Sequence, residues 1–417
     1  MIIEFNVGNF LSIKTVQPLR LSIPKEKLNK GDNTVKICDR DVERIALMYG
    51  PNSSGKSNFI KAIRFSQELI TKGQSEIRFK PYIDKAGNIF KKEKPYFEFV
   101  FNINDSIYSY GFELNLDSDE KIIFDSEWLY VETEERTETV IENDYSDSPS
   151  EYLSLYSDHE SGYRKKAFDW VRWSLIVKTS HQDRRFIYNV CDDFIDHLKD
   201  NLDRYDTGIT DVKQVVQQND AHINRTRTYF YGKDWVNDKT NNIIGYVDDG
   251  GSRKKSVLFY YDRLEDKWST IKFTHDKKNL SEIGQESAGT LSIIQILSIM
   301  SNQKYSYESK FEPTAIIDEL ECSIHTLIVM DIIKTFLEDE KHNQLIATTH
   351  ETRLLNQIEN NGIWFVDTDG RGDNDNTVIS PLWSYKVEHK NIIRTYLNGG
   401  YLATPLFTNY YLEGIQR

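Results

Sequence analysis

One stretch of the 417-residue chain combines residue types that could hold a nucleotide phosphate. Residues 50–57 have the spacing G-x-x-x-x-G-K-[ST]. Its glycines let the backbone wrap an anion with N–H groups, while Lys56 would bind the outer phosphates and Ser57 would ligate Mg²⁺. The predicted ATP-binding loop consists of Gly50, Pro51, Asn52, Ser53, Ser54, Gly55, Lys56, Ser57 and the following Asn58.

Two carboxylates and a histidine follow apolar stretches later in the chain. Asp318 and Glu319 come after residues 314–317, where Asp318 could hold Mg²⁺ through water and Glu319 could polarise the attacking water. Without the upstream loop, the same acids would be solvated charges at a strand end. His350 follows the apolar residues 344–349 and is a candidate γ-phosphate sensor; the alternative is a capping or surface histidine.

A serine and a glycine precede the apolar helix predicted from Leu291. Ser287 and Gly289 at this helix start could form a second anion site from backbone N–H groups and the helix dipole. The alternative is a simple N-cap, provided by Ser287 or Thr290.

The spacing of apolar residues along the chain predicts the strands and helices that must position these residues. A buried strand at 45–49 feeds the loop, and a helix at 57–71 follows it. Beyond residue 289, a helix (289–302), a strand (314–317), a helix (324–338) and a strand (344–347) alternate, which predicts an α/β parallel sheet. The nucleotide fold is therefore split, beginning near residues 1–80 and finishing near 285–370.

Between these parts the pattern changes. Residues 96–131 alternate with period two and predict three antiparallel strands, and the acidic tract 132–147 predicts a solvated hairpin or loop. Residues 167–227 are interpreted as an inserted helical lobe that includes Val212, Val215 and Val216. The predicted domains are residues 1–131, the N-terminal half of the head; 132–255, a partly helical insertion; and 256–417, the C-terminal half and tail.

Composition excludes several classes of protein. The net charge of −13 argues against a broad basic surface for nucleic acid, and the three cysteines form no CxxC pair. The first residues lack the layout of a signal peptide, and no apolar run approaches the ~18 residues of a membrane span. We therefore expect a cytoplasmic protein with no membrane partner.

Taken in chain order, the motifs resemble those of ABC-type ATPases. Residues 50–57 match Walker A, 287–290 the signature, 316–319 Walker B, 321–325 the D-loop, and His350 the switch histidine. The turn at residues 9–12, Asn-Phe-Leu-Ser, looks like the N-F-x-S turn of SMC-like heads. The resemblance implies an α/β fold: an ABC-type P-loop ATPase head with a mixed sheet, an antiparallel β subdomain and a helical insertion.

A closer resemblance is to the AAA-labelled, ABC-type ATPases of bacterial phage-defence and abortive-infection operons, such as the RloA-like and AbiL-like proteins. The PARIS and Septu ATPase subunits are more distant relatives. Four segments carry the resemblance: 108–113 with 127–130, 285–290, 318–325, and the tail 396–405. The chain departs from the group at Ala288, Leu402 and the D-loop, and no Q-loop glutamine is found, since Gln67 lies within the first helix.

The resemblance implies a head-to-tail homodimer, or a higher oligomer, that sandwiches Mg²⁺ and ATP. Ser287 and Gly289 of one chain would complete the site of the other. The implied function is an ATPase sensor or scaffold of an anti-phage system that controls an effector, a nuclease or toxin from the same operon. The alternative is a DNA-acting, recombination-repair-like ATPase that works with a nuclease, and a transporter subunit ranks third.

Two further features have plain alternatives. Asp367 and Asp369 form a DxD pair after a strand, as in part of a TOPRIM nuclease site, but a hairpin with an Asp-Gly turn is the preferred interpretation. The basic stretches 184–185 and 253–255 could contact DNA phosphates, although charged solvated loops are the default.

Overall fold

The protein is represented by a computed structural model. It describes residues 1–28, 33–117, 119, 121–145, 150–179, 185–216, 242–248, 256–262, 264–265, 267–275, 280–304, 313–338, 343–369, 376–385 and 392–401. The basic stretch 253–255 and residue 184 lie outside these ranges, as does the end of the predicted tail motif, residues 402–405.

Strands and helices of the described residues are numbered in chain order. The strands are β1 (Ile2–Gly8), β2 (Gln17–Arg20), β3 (Ser22–Ile23), β4 (Thr34–Ile37), β5 (Arg40–Glu43), β6 (Ile45–Tyr49), β7 (Tyr96–Ile103), β8 (Ser106–Leu116), β9 (Ile122–Glu132), β10 (Thr137–Asp144), β11 (Leu175–Lys178), β12 (Arg185–Val190), β13 (Asp211–Val216), β14 (Asn242–Asp248), β15 (Ser256–Asp262), β16 (Lys267–Thr274), β17 (Leu280–Ser281), β18 (Thr314–Ile317), β19 (Gln344–Thr348), β20 (Ile363–Asp369) and β21 (Asn376–Pro381). The α-helices are α1 (Lys56–Lys72), α2 (Ser154–Ser157), α3 (Gly162–Asp169), α4 (Phe194–Arg204), α5 (Ala288–Lys304), α6 (Thr326–Glu338) and α7 (Ile392–Leu397).

The contacts between residues divide the chain into two compact units. The first consists of Met1–Thr179, Ile316–Leu320 and His342–Arg417, and the second of Ser180–Ala315 and Glu321–Lys341. The chain thus passes from the first unit to the second directly after Leu320, the residue that follows the twin acids. No helix among the described residues is long and apolar enough to cross a membrane.

An antiparallel sheet of order β10-β9-β8-β7-β1-β2 forms one layer of the first unit. Successive side chains of each strand point to opposite faces of the sheet, so that one set points into the core. Phe10, Phe65 and Phe97 pack there with ring centroids 5.3–5.5 Å apart, which joins the turn after β1, helix α1 and strand β7. Helix α1 therefore lies on this layer through aromatic side chains.

A buried carboxylate explains one of the segments that carry the family resemblance. Glu127 accepts hydrogen bonds from the hydroxyls of Tyr110 (2.8 Å) and Tyr145 (3.2 Å) and from the backbone N–H groups of Ser154 (2.7 Å) and Leu155 (2.9 Å). Burial, reinforced by this carboxylate, raises the pKa of Tyr110 well above its ordinary value, so its hydroxyl stays a donor. Glu127 thus fixes the start of α2 on the sheet and has a structural role.

The second sheet of this unit has the order β11-β18-β19-β6-β20-β21. Strand β6 lies between β19 and β20 and runs parallel to both, and all five of its residues are buried, as in a central parallel strand. The tail packs behind it: the ring of Tyr401 stacks on Phe365 with centroids 4.6 Å apart, and Tyr396 contacts both Phe365 and Tyr49. This part of the tail motif therefore supports the strand that leads into the phosphate loop.

The second unit combines an antiparallel sheet of order β12-β14-β15-β16-β13 with helices α4, α5 and α6. Helix α5 packs against β12 and α4. Val212 and Val216 were predicted to be helical, but they lie in β13, which pairs with β16. β-branched valines fit a pleated strand, and this sheet partner, some 55 residues away, decides the conformation.

These layers confirm the predicted α/β class with a mixed sheet and an antiparallel subdomain. The predicted strands at 45–49 and 314–317 have the observed bounds, and the antiparallel pair β20 and β21 confirms the hairpin preferred for Asp367 and Asp369. The predicted Asp-Gly turn itself lies outside the described residues. The predicted domain boundaries remain a prediction.

Candidate functional site

Backbone geometry of the loop between β6 and α1 requires glycine at two positions. A Cβ at Gly50 would lie 2.1 Å from the carbonyl oxygen of Val366, and one at Gly55 would lie 2.1 Å from the Thr377 hydroxyl. Gly55 also has a φ of +104°, and Ser53 a φ of +67°, both in the left-handed region. The loop can therefore adopt this tight conformation over the end of β6 only with glycine at positions 50 and 55.

Helix α1 begins inside the loop, without a side-chain cap. The N–H groups of its first turn have no acceptor within the helix, so they are available to an anion. Lys56 Nζ donates to the carbonyl oxygens of Gly50 (2.8 Å) and Pro51 (2.9 Å), which brings its ammonium over the loop. Asn52 and Ser53 are exposed on the loop, and Ser54 is buried beneath it.

A hydroxyl network below the loop contains a residue that the sequence did not single out. Thr377, on β21, donates to the carbonyl oxygen of Ser54 (3.0 Å) and shares a hydrogen bond with Ser12 (2.8 Å). Asn58 Nδ2 donates to Ser12 Oγ (2.9 Å). The serine of the Asn-Phe-Leu-Ser turn therefore braces both the loop and the start of α1.

Replacing Thr377 with valine should weaken nucleotide binding by roughly tenfold. The carbonyl oxygen of Ser54 then loses its hydrogen-bond donor, and the loop loses the side chain that holds it in place. Thr71→Val is a matched control: its hydroxyl donates to Gln67 O at the far end of α1. Titration with a fluorescent ATP analogue measures both. Equal affinities for the two variants would contradict a role of Thr377 in shaping the loop.

Asp318 lies beside the first turn of α1. Its Oδ1 accepts hydrogen bonds from Ser57 Oγ (3.1 Å) and Thr348 Oγ1 (2.6 Å). Its Oδ2 is buried and has no hydrogen-bond partner among the described residues. A buried carboxylate oxygen left in this state is costly unless a cation or water completes it.

Glu319 has an unusual backbone conformation for a residue other than glycine, with a φ of +53°. Two hydrogen bonds hold it there: Glu319 N donates to Thr348 Oγ1 (2.7 Å), and Leu320 N donates to Thr348 O (3.0 Å). The Thr348 hydroxyl thus accepts from Glu319 and donates to Asp318, so one side chain orders both acids. Sequence reasoning placed its strand but missed this residue.

The oxygen ligands present fit Mg²⁺. This cation prefers carboxylate, hydroxyl and water oxygens, and it is commonly held by one or two protein groups plus nucleotide phosphates. Ser57 Oγ and the unpartnered Asp318 Oδ2 are such a pair, at the start of the helix that would face the phosphates. The structure therefore brings together the two residues predicted to hold the metal.

His350 lies two residues beyond the end of β19 and is exposed. Strand β19 pairs in parallel with β6, with Thr348 opposite Met48, and Thr349 N donates to Met48 O (3.1 Å). The parallel register places His350 at the same sheet edge as Gly50, where the loop begins. Its location suits a γ-phosphate sensor, and that role remains a prediction.

The signature residues lie in the second unit. Ser287 Oγ accepts from Thr290 N (3.0 Å), which is the N-cap arrangement given as the alternative, and Ser287 and Ala288 are exposed. A Cβ at Gly289 would lie 2.6 Å from the carbonyl oxygen of Ser323, so glycine allows the D-loop to approach α5. The cap is observed, and a role in binding an anion remains a prediction.

Gln67 is not placed for a Q-loop. Its Nε2 donates to the carbonyl oxygens of Val171 (2.9 Å) and Leu175 (2.6 Å), and so it fastens the π-helix Trp170–Ser174 to α1. Strand β11, which starts at Leu175, lies next to β18 in the sheet. The chain beyond Thr179 enters residues 180–184, which the structure does not describe.

Residues 45–356 match the sequence pattern of a family described as "AAA domain, putative AbiEii toxin, Type IV TA system". This match spans more than half of the chain and includes every predicted site residue. No curated protein sequence matches the chain significantly.

Among solved structures, the chain is similar to heads of SMC proteins. One is described as an SmcHead bound to the C-winged helix domain of ScpA (15% identity, 92% of this chain and 99% of that chain, TM-score 0.41). Another is the SMC head domain from Thermotoga maritima (16% identity, 91% and 98%, TM-score 0.38). A third is an Smc head with an extended coiled coil bound to the C-terminal domain of ScpA derived from Pyrococcus furiosus (13% identity, 92% and 97%, TM-score 0.40).

Proposed function

The chain belongs to this family of AAA domains, and on that premise we propose that it is an ABC-type ATPase that binds and hydrolyses Mg²⁺·ATP. One observation carries the proposal. The first turn of α1 and the end of β18 meet through Ser57 and Asp318, next to a carboxylate oxygen without a partner. A phosphate loop beside an incomplete oxygen site is what a metal-bound nucleotide needs.

In this proposal each residue has a distinct task. Lys56 and the N–H groups of α1 hold the phosphates, Ser57 and Asp318 hold Mg²⁺, and His350 contacts the γ-phosphate. Glu319 takes a proton from the attacking water, since its carboxylate directly follows Asp318 beyond the end of β18. Bound Mg²⁺ would neutralise charge on the phosphate oxygens.

We further propose a head-to-tail homodimer. Ser287 and Ala288 are exposed at the start of a long helix, as a signature that faces a second chain should be. Ser287 and Gly289 of one chain would then close over the nucleotide held by the other, and hydrolysis would separate the two chains.

We also propose a defence role in the cytoplasm, in which nucleotide-driven closure controls an effector such as a nuclease or toxin. The family description, which names a putative toxin of a type IV TA system, supports the defence role. The alternative, a DNA-acting ATPase, is weaker because the net charge is −13. Expressing the chain together with its flanking genes distinguishes these two functions. A defence sensor should co-purify with a protein encoded in the same operon. It should lower the plating efficiency of phage only when that protein is present. Salt-dependent DNA binding without such a partner would favour the alternative instead.

A further inference from the structure

His275 follows β16, and each nitrogen of its ring faces an acceptor. Nδ1 lies 2.9 Å from the carbonyl oxygen of Gly208, and Nε2 lies 3.0 and 3.2 Å from the two carboxylate oxygens of Glu286. Carbonyl and ionised carboxylate oxygens only accept hydrogen bonds. Because both contacts need an N–H, they are satisfied together only by the imidazolium, which carries two.

The carboxylate side chain of Glu286 is almost completely shielded from solvent. Its side chain is only 5% exposed, and Ser281 Oγ donates to the same carboxylate. A carboxylate buried without an opposite charge would be strongly unfavourable, and His275 supplies that charge. Glu286 directly precedes Ser287, so this ion pair lies one residue from the proposed signature.

Both partners of the imidazolium are fixed. Thr210 donates through its N–H (2.8 Å) and its hydroxyl (2.9 Å) to Thr274 O, which holds the end of β16 beside the residues after α4. Gly208, whose carbonyl oxygen contacts the ring, has a φ of +77°, a conformation that suits glycine. Before the signature, Glu282 and Gln285 form a reciprocal capping box. His275 therefore anchors the signature turn to a rigid frame.

Two further ion pairs lie on the surrounding elements. Lys272 on β16 lies 3.6 Å from Glu282, and Lys199 on α4 lies 2.9 Å from Asp211 on β13. These two pairs do not include His275, whereas Glu286 contacts it directly.

We propose that His275 is a positioning residue for the signature serine. Its ion pair with Glu286 holds the turn before α5, so that Ser287 caps the helix and stays presented to the nucleotide of a second chain. This role rests on the proposed ATPase function. Because the imidazolium loses its charge as the pH rises, the fastening is complete at acid pH and weakens toward alkaline pH.

His275→Gln tests this role. The variant should lower kcat for ATP hydrolysis by about tenfold, as expected for one lost charged hydrogen bond, while ATP affinity is kept because the phosphate loop is untouched. The rate of the unmodified chain should fall as the pH rises from about 6 to 8, whereas the variant should lack this fall. His197→Gln is the matched control, since His197 on α4 lies 3.6 Å from Asp193, the N-cap residue of the same helix.

Hydrogen exchange gives a readout that needs no hydrolysis. The amide of Thr290, bonded to Ser287 Oγ, should exchange faster in His275→Gln and in Glu286→Gln than in His197→Gln. Unchanged exchange in both variants would overturn the positioning role, whatever the ATPase activity. Faster exchange in a chain that never hydrolyses ATP would support the fastening and contradict the proposed function alone.

Discussion

An equimolar mixture of Lys56→Ala and Ser287→Arg chains should hydrolyse ATP, although neither chain does so alone. In a head-to-tail dimer each site takes its phosphate loop from one chain and its signature from the other. A mixed dimer then has one site with both defects and one site with none. Random pairing makes half of the dimers mixed, so the mixture should reach roughly a quarter of the unmodified rate.

The structure explains why each variant removes one function. Lys56 supplies the ammonium above the loop. Ser287 is exposed, so a larger Arg side chain can be accommodated in the free chain, where it removes the N-cap of α5 and blocks closure. The control is a mixture of Lys56→Ala with the Lys56→Ala, Ser287→Arg double variant, which contains no intact site. Phosphate release measures both mixtures. Activity of Ser287→Arg alone would show that the second chain contributes nothing.

Replacing Glu319 with glutamine should reduce ATP hydrolysis by a factor on the order of 10²–10⁴, because the amide cannot take a proton from water. Binding of ATP should persist. The left-handed backbone at Glu319 is held by backbone N–H groups donating to Thr348, and the substitution leaves these intact. The variant should therefore accumulate as an ATP-bound dimer, observable by light scattering during size-exclusion chromatography with Mg²⁺·ATP.

Glu351→Gln provides the matched control. Glu351 lies at the same end of the sheet, but its carboxylate accepts from Arg353 N and caps a short 3₁₀ helix. It should hydrolyse ATP at nearly the unmodified rate and remain free of the trapped dimer. Hydrolysis by Glu319→Gln at the unmodified rate would refute the assignment of the base, and a simultaneous loss of ATP binding would point to a damaged fold.

Local sequence was enough to predict the strand, loop and helix around Gly50. Five apolar residues, two obligatory glycines and a lysine act within a short segment, and each conformation is set by its own residue type. The hydroxyls of Thr348 and Thr377 could not be found in this way. They matter only because β19 pairs with β6 and because β21 brings Thr377 to the loop. A polar residue that ends a buried parallel strand was the one available signal for Thr348.

Two other outcomes have the same origin. Residues 212–216 were misjudged because valines with helical spacing also satisfy a strand, and only the pairing with β16 distinguishes the two. Glu127 was noticed as part of a family segment, but its task was not, because its donors Tyr110 and Ser154 become neighbours only in the folded sheet.

The position of β6 between β19 and β20 also constrains biosynthesis. All strands of the antiparallel layer lie within residues 2–144, so this layer can form early as the chain leaves the ribosome. Strand β6, which leads into the phosphate loop, can pair only after β19 and β20 have been translated, and these begin at Gln344 and Ile363. Under the proposed function, ATP binding therefore requires that translation has reached the last strands of this sheet.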